Sequence, residues 1–269
     1  MLSFNNIGNL GRLANQMFQY ASLKGIAKSR GYDFCIPPKE VFGKIDSNVK
    51  KSDIDLYDVF DIERKNNIGL SKNLVLRERF HSFDEELIVN CPDNVDLFGY
   101  YQSEKYFKHI ESEIREDFSF KEDLLSICNS FIADNFNGEI ISLHVRRGDY
   151  VTNPNHPLQT EEYYTKSISI FPENIPIIIF SDDPIWCKEQ KIFSSDRFMI
   201  SENNTTDFDL CLMSLCQYHI IANSSYSWWG AWLAKSKKTI APNNWFAGDC
   251  VDKNIKDLKF DNFCFIEEL

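Results

Sequence analysis

No stretch of this chain approaches the roughly 18 consecutive apolar residues of a membrane-spanning helix. Its opening residues, Met1-Leu2-Ser3-Phe4-Asn5-Asn6, hold no basic-then-apolar signal segment. The 8 cysteines include no C-x-x-C pair, so reduced thiols in a cytosolic protein are expected rather than a disulfide framework. Neither the cysteines nor the 5 histidines cluster at metal-ligand spacing, and no metal site is expected. A P-loop, an H-E-x-x-H pair and a G-x-S-x-G elbow are also missing, which sets aside three common enzyme chemistries. Positive charge is scarce. With 29 Lys+Arg against 40 Asp+Glu the formal net charge is −11, which excludes broad attraction to nucleic acid or anionic lipid.

What is present is a globular composition. With 269 residues, 43% hydrophobic and 14% aromatic, the chain can bury a substantial core in one large domain or two modest ones. Leu13, Met17, Tyr20, Ala21, Leu23 and Ala27 recur at helical spacing, predicting a helix over 12–29 that Gly31 stops. Strands are predicted at 32–36 and 94–101, and residues 103–135 read as helical; residues 39–75 carry no assignable pattern. After Gly138 the pattern is regular. Strands at 140–145, 175–180, 197–200, 218–222 and 238–241 alternate with helices at 160–170, 184–191, 206–217 and 226–236, as in βαβ units of a parallel sheet. Asp134-Asn135-Phe136-Asn137-Gly138 interrupts the chain, so two domains are expected, 1–136 and 137–269.

Four constellations carry chemistry. In Ile140-Ile141-Ser142-Leu143-His144-Val145-Arg146-Arg147-Gly148-Asp149-Tyr150 a short apolar run ends in a histidine, two arginines and an aspartate. In open α/β sheets ligands bind beyond the carboxyl ends of the strands. Guanidiniums there suit phosphate oxygens, whereas an ordinary surface Arg–Asp pair is the bland reading. Phe180-Ser181-Asp182-Asp183-Pro184 ends the next strand. Asp183 before a proline reads as a helix cap, leaving Asp182 for a base or ribose. Ile220-Ile221-Ala222-Asn223-Ser224-Ser225 leads into Tyr226-Ser227-Trp228-Trp229-Gly230-Ala231-Trp232. That segment offers hydroxyls and a helix N-terminus as a second phosphate cradle, with the tryptophans assigned to packing. Finally, Gly8-Asn9-Leu10-Gly11-Arg12-Leu13-Ala14-Asn15-Gln16 enters the first helix. Read alone, it echoes a dinucleotide loop, with Asp33 in the place of a ribose-binding acid. Asp53-x-Asp55 and Asp207-x-Asp209 mimic metal-binding D-x-D pairs, which arise readily by chance in an acidic chain.

Taken together and in this order, these motifs resemble the α-1,2-fucosyltransferases of glycosyltransferase family 11. The resemblance rests on Gly11–Ala21, His144–Tyr150, Phe180–Asp183 and Asn223–Trp232, and it spans nearly the whole chain. It implies an α/β, GT-B-like pair of Rossmann-type domains, with a parallel sheet in the C-terminal donor-binding half and the acceptor side in the N-terminal half. It implies transfer of L-fucose from GDP-β-L-fucose to the 2-hydroxyl of a galactose-type acceptor, with no metal or other cofactor. Arg146 is the residue expected to hold the donor pyrophosphate. One departure is Ala14, where the family usually has Gly; Ala is costly there if the backbone needs positive φ.

An α product from a β-linked donor requires inversion through an oxocarbenium-like transition state. Arg146, Ser224, Ser225 and the following helix N-terminus are expected to stabilise the departing diphosphate, with Asn223 beside them. His144 and Asp182 are candidates for guanine or ribose recognition. The base candidates are Asp149, which could instead orient Arg147, and His156, in a loop that could reach the acceptor. Asn15 and Gln16 are placed at the acceptor cleft. A lipid-linked glycan acceptor would bring the enzyme to the inner membrane face as a peripheral protein. The rival readings are an NAD(P)-dependent oxidoreductase and a sugar- or nucleotide-binding protein without turnover.

Overall fold

The computed structural model describes residues 1–38, 54–62, 74–79 and 81–268. Its fold consists of two α/β units, Met1–Lys121 with Lys253–Lys259, and Glu122–Asp252 with Phe260–Leu269. The division falls at Lys121/Glu122, one helix before the expected 136/137 boundary. The helix that closes the expected first domain packs instead within the second unit.

In the first unit the described elements are β1 (Leu2–Ser3), α1 (Leu13–Arg30), β2 (Phe34–Cys35), α2 (Leu56–Val59), β3 (Leu74–Arg77), α3 (Glu85–Asn90), β4 (Val95–Phe98) and α4 (Glu111–Asp117). The strands form a parallel sheet in the order β2-β1-β4-β3. α1 runs as its apolar stripe predicts and stops at Gly31, whose left-handed φ of 67° closes the last turn. Ala14 lies inside α1, and the positive φ values of the preceding loop fall on Gly8 and Gly11. Alanine there therefore carries no backbone penalty.

The long helix expected over 103–135 is broken. α4 ends at Asp117, Phe118 turns the chain, and Phe118 and Phe120 pack on Phe60, at ring distances of 4.9 and 5.2 Å. Burying two aromatic rings outweighs a continuous hydrogen-bonded helix. Asp55 caps α2 by accepting the Tyr57 and Asp58 amides; Asp53 lies outside the described residues.

The second unit contains α5 (Glu122–Asn135), β5 (Ile141–Val145), α6 (Glu161–Ser169), β6 (Ile177–Ser181), α7 (Pro184–Glu189), β7 (Phe198–Ile200), α8 (Thr206–Leu215), β8 (Tyr218–Ile220), α9 (Ser225–Leu233), β9 (Lys238–Ala241) and β10 (Phe263–Phe265). Its strands are all parallel, in the order β10-β9-β8-β5-β6-β7. β5, β6 and β8 are almost wholly buried, which is why they read as continuous apolar runs rather than alternating ones. The chain winds outward from β5 through β6 to β7. It then crosses back to β8 on the other side of β5. That reversal is the topological switch point of a doubly wound sheet, where a crevice opens beyond the strand ends.

The tryptophans are core residues. Trp228, Trp229 and Trp232 are at most 2% exposed, with edge-on contacts of 5.0 Å between Trp228 and Trp229 and 5.1 Å between Trp229 and Trp232.

Helix packing in the first unit leaves no room at Gly25. A Cβ there would stand 2.0 Å from the Tyr106 carbonyl oxygen, which is backbone and cannot swing aside. Gly25→Ala is expected to cost about 1–3 kcal/mol or more, read as a fall in urea midpoint.

Candidate active site

The crevice between the carboxyl ends of β5 and β8 gathers most of the predicted residues of the second unit. β5 delivers His144 and then Arg146 to Tyr150. β8 delivers Asn223 and Ser224, and β6, on the other side of β5, delivers Asp182 and Asp183.

Arg146 is held by two carboxylates. Its Nη1 lies 2.7 Å from Asp182 Oδ2 and its Nη2 bonds Asp149. The guanidinium also stands 5.1 Å from the centre of the Tyr150 ring. Asp149 therefore pairs with Arg146 and not with Arg147, correcting the expectation that it could orient the latter. Arg147 is turned away. Its Nε donates to Asp183 at 3.0 Å and its guanidinium covers the Trp186 ring at 4.2 Å. The two arginines are thus unequal: one faces the crevice and one braces the loop.

Asp182 shapes this loop. Besides binding Arg146, it accepts the Arg147 backbone amide at 2.8 Å. A Cβ on Gly148 would come within 2.2 Å of Asp182 Oδ2, so only glycine lets the turn close over the carboxylate. With both oxygens engaged, Asp182 is placed to hold the loop rather than to read a base or ribose. Asp183 caps α7 as predicted, accepting the Trp186 amide at 3.1 Å ahead of Pro184.

Asn223 is likewise occupied. Its amide donates to the Pro157 and Trp245 carbonyls at 3.1 and 3.0 Å, and its oxygen accepts from Gln159 at 3.0 Å. Its backbone carbonyl accepts the Tyr150 hydroxyl at 3.0 Å. The side chain expected to touch the ligand instead ties together three loops at the rim. Ser224 caps α9 by accepting the Tyr226 amide, which leaves its hydroxyl proton available to a ligand, and Ser225 follows half-buried on the first turn.

His144 is buried, 2.9 Å from Ser227 through Nδ1 and 5.7 Å from the Tyr226 ring. Burial, with Arg146 nearby, pushes its pKa down to about 3. It is therefore neutral at physiological pH and serves by hydrogen bonding, not by charge. His156 stacks on Tyr150 at 4.7 Å and meets Phe246 at 5.5 Å, so the structure joins it to the Arg146 loop through Tyr150.

Asn15 and Gln16 belong to the first unit. Asn15 accepts from Gln102 at 2.7 Å, while Gln16 is buried and accepts the Leu56 amide at 3.3 Å. Gln16 is a structural residue of α1. Asp33 precedes β2, at the amino end of the strand; a ribose-binding acid must stand at the carboxyl end, so the dinucleotide reading fails on topology.

Sequence reasoning missed Gln159 and the roles of Tyr226 and Asp209. Tyr226, beside His144, donates to the Thr206 carbonyl at 2.6 Å. Asp209 is half-buried next to it, accepting from Ser201 at 2.6 Å, and desolvation pushes its carboxyl up to about 6. The Asp207-x-Asp209 spacing was the available signal, but it pointed to a metal. Among the described residues no group of three or more His, Cys, Asp or Glu side chains could hold one.

The model of the family described as glycosyl transferase family 11 matches residues 2–267. An alpha-1,2-colitosyltransferase of Escherichia coli is 36% identical over 275 residues, covering 88% of this chain and 90% of its own length. Galactoside 2-alpha-L-fucosyltransferase SEC1 of Bos taurus is 28% identical, covering 83% of this chain and 62% of its own. Among solved structures, the NodZ alpha-1,6-fucosyltransferase soaked with GDP-fucose superposes with a TM-score of 0.55 at 11% identity, over 90% of this chain and 94% of that one. This likeness bears on the fold, which is GT-B-like. Among the described residues no helix is long and apolar enough to cross a membrane.

Asp209 sets a pH signature. Its folded pKa of about 6 lies above the ordinary 3.8, so it favours folding below pH ~4. That contribution is lost as pH rises through 6. Asp209→Asn is expected to stabilise the protein by about 2–3 kcal/mol at pH 8 and by little at pH 4, measured by urea melts at the two pH values.

Proposed function

We propose that this chain, which belongs to glycosyl transferase family 11, transfers L-fucose with inversion from GDP-β-L-fucose to the 2-hydroxyl of a galactose-type acceptor. One observation carries this reading: Arg146 and the N-terminus of α9, with Ser224 and Ser225, come from the two strands that flank the switch point of a doubly wound sheet. A diphosphate in that crevice meets a guanidinium on one wall and helix N–H groups and hydroxyls on the other. The galactoside 2-alpha-L-fucosyltransferase relative supports the fucosyl group, the galactoside acceptor and the linkage. The colitosyltransferase relative favours a second donor, GDP-colitose, whose sugar is fucose without its 3-hydroxyl.

In the proposed reaction the bond from the anomeric carbon to the β-phosphate oxygen breaks, and its electron pair leaves with GDP. The acceptor oxygen bonds to the opposite face of that carbon, turning the β-linked donor into an α-linked product. The acceptor proton passes to a carboxylate, for which Asp149 is the choice: it sits beside Arg146 and is 55% exposed. Arg146 neutralises the charge growing on the diphosphate, the part a metal plays elsewhere, so turnover is expected to survive chelation. His144, neutral and fixed by Ser227, offers its ring to the nucleoside. Tyr150 positions Arg146 and His156 without taking part in proton transfer, since burial pushes its own pKa up to about 12.

A donor screen with GDP-fucose, GDP-colitose and GDP-mannose on galactosides, with linkage analysis, tests the reading. A 1→2-linked fucosyl or colitosyl product formed in the presence of EDTA is expected. Arg146→Ala should lower turnover by about 10²–10³-fold with an unchanged circular dichroism spectrum; near-normal turnover would sink the clamp assignment.

A further inference from the structure

Arg146 is shared by two acids that differ in how firmly they are held. Asp182 cannot leave: its second oxygen accepts the Arg147 amide at 2.8 Å, and Gly148 closes over it. Asp149 can. It lies on the short Gly148–Val151 turn with its side chain 55% exposed, and among the described residues its carboxylate is paired with no cation besides Arg146. The Arg146 side chain, 17% exposed, turns Nη1 to the fixed acid and Nη2 to the exposed one.

A donor diphosphate needs the Nη2 side that Asp149 holds. Two anions cannot share that one N–H edge without repelling each other. We propose that the diphosphate displaces Asp149 from Arg146, and that the displaced carboxylate then becomes the base for the acceptor hydroxyl. The inference rests on the assignment of GDP-linked sugar as donor. No bond is made or broken in the exchange: Arg146 trades one oxygen anion for another. The consequence is order. Before the donor binds, Asp149 Oδ1 is paired with the guanidinium, which draws the carboxylate towards Arg146 and away from an acceptor hydroxyl. Afterwards it is free and sits beside the scissile bond, so the donor binds first.

The exchange predicts an effect of unusual sign. Calorimetric titration of GDP into the Asp149→Asn protein should show binding about 2–5-fold tighter than wild type, the scale of a partly exposed ion pair that no longer has to be broken. Turnover should fall at least ~100-fold, as expected for loss of the base. A residue that gripped the donor directly would instead lose affinity on substitution, so unchanged or weaker GDP binding overturns the proposal. A second measurement does not depend on the variant. A galactoside acceptor should bind the wild-type protein in the presence of GDP and at least several-fold more weakly in its absence. Equal binding in both states also overturns it. Failure of the wild-type protein to bind GDP would strike the donor assignment itself.

Discussion

The parallel ladder between β5 and β8 is the constraint on which the site depends. It registers Leu143 against Ile220, so the two chains leave the sheet side by side at the same end. Arg146 and Ser224, far apart in sequence, then stand on facing lips of one crevice. The ladder in turn depends on burial on both faces, and the apolar runs of β5 and β8 provide it. Because β6 flanks β5 on the other side, its terminal acid Asp182 falls next to Arg146. Sheet order thus brings Asp182 to the Arg146 loop.

Above the sheet the loops are held by polar contacts, several with every donor and acceptor taken. Asn223 satisfies both amide hydrogens and its oxygen within the protein, pinning the 157–159 and 245 segments to the end of β8. Asp182 does the same for the Arg147–Gly148 turn. A buried amide or carboxylate left unpaired would cost about 1–3 kcal/mol, so these knots specify a single loop arrangement. The groups that remain open line the crevice: the Arg146 edge guarded by Asp149, the Ser224 hydroxyl and the first turn of α9.

The second unit could be read from sequence almost element by element. Its strands are apolar runs bounded by turns, and its helices carry caps such as Asp183-Pro184. β10 escaped because Phe263-Cys264-Phe265 is too short to show a period. The first unit was harder for a physical reason: its strands are two to four residues long, and aromatic packing by Phe118 and Phe120 overrides the helical period across 103–135. At the site, Arg146 was visible because charge at the end of a buried run has few structural uses. The true duties of Asp182, Asn223 and Gln16 were not visible. Each is a polar residue in a suggestive motif, and only three-dimensional closure decides whether its atoms are spent within the protein. Asp149 was found, but its partner was not, since Arg146 and Arg147 are adjacent and only the bracing of Arg147 by Trp186 and Asp183 separates them.

A neutral histidine, the crevice-facing Arg146 and a capped helix N-terminus make up the proposed cradle for a nucleoside diphosphate, with a displaceable acid beside it. The proposed cradle fixes where the diphosphate sits. A crystal structure of the protein with GDP tests that most directly. Phosphate oxygens are expected within hydrogen-bonding distance of Arg146 and of the first turn of α9, at the β5–β8 switch point. A diphosphate bound elsewhere, with Arg146 still paired to both acids, would contradict it.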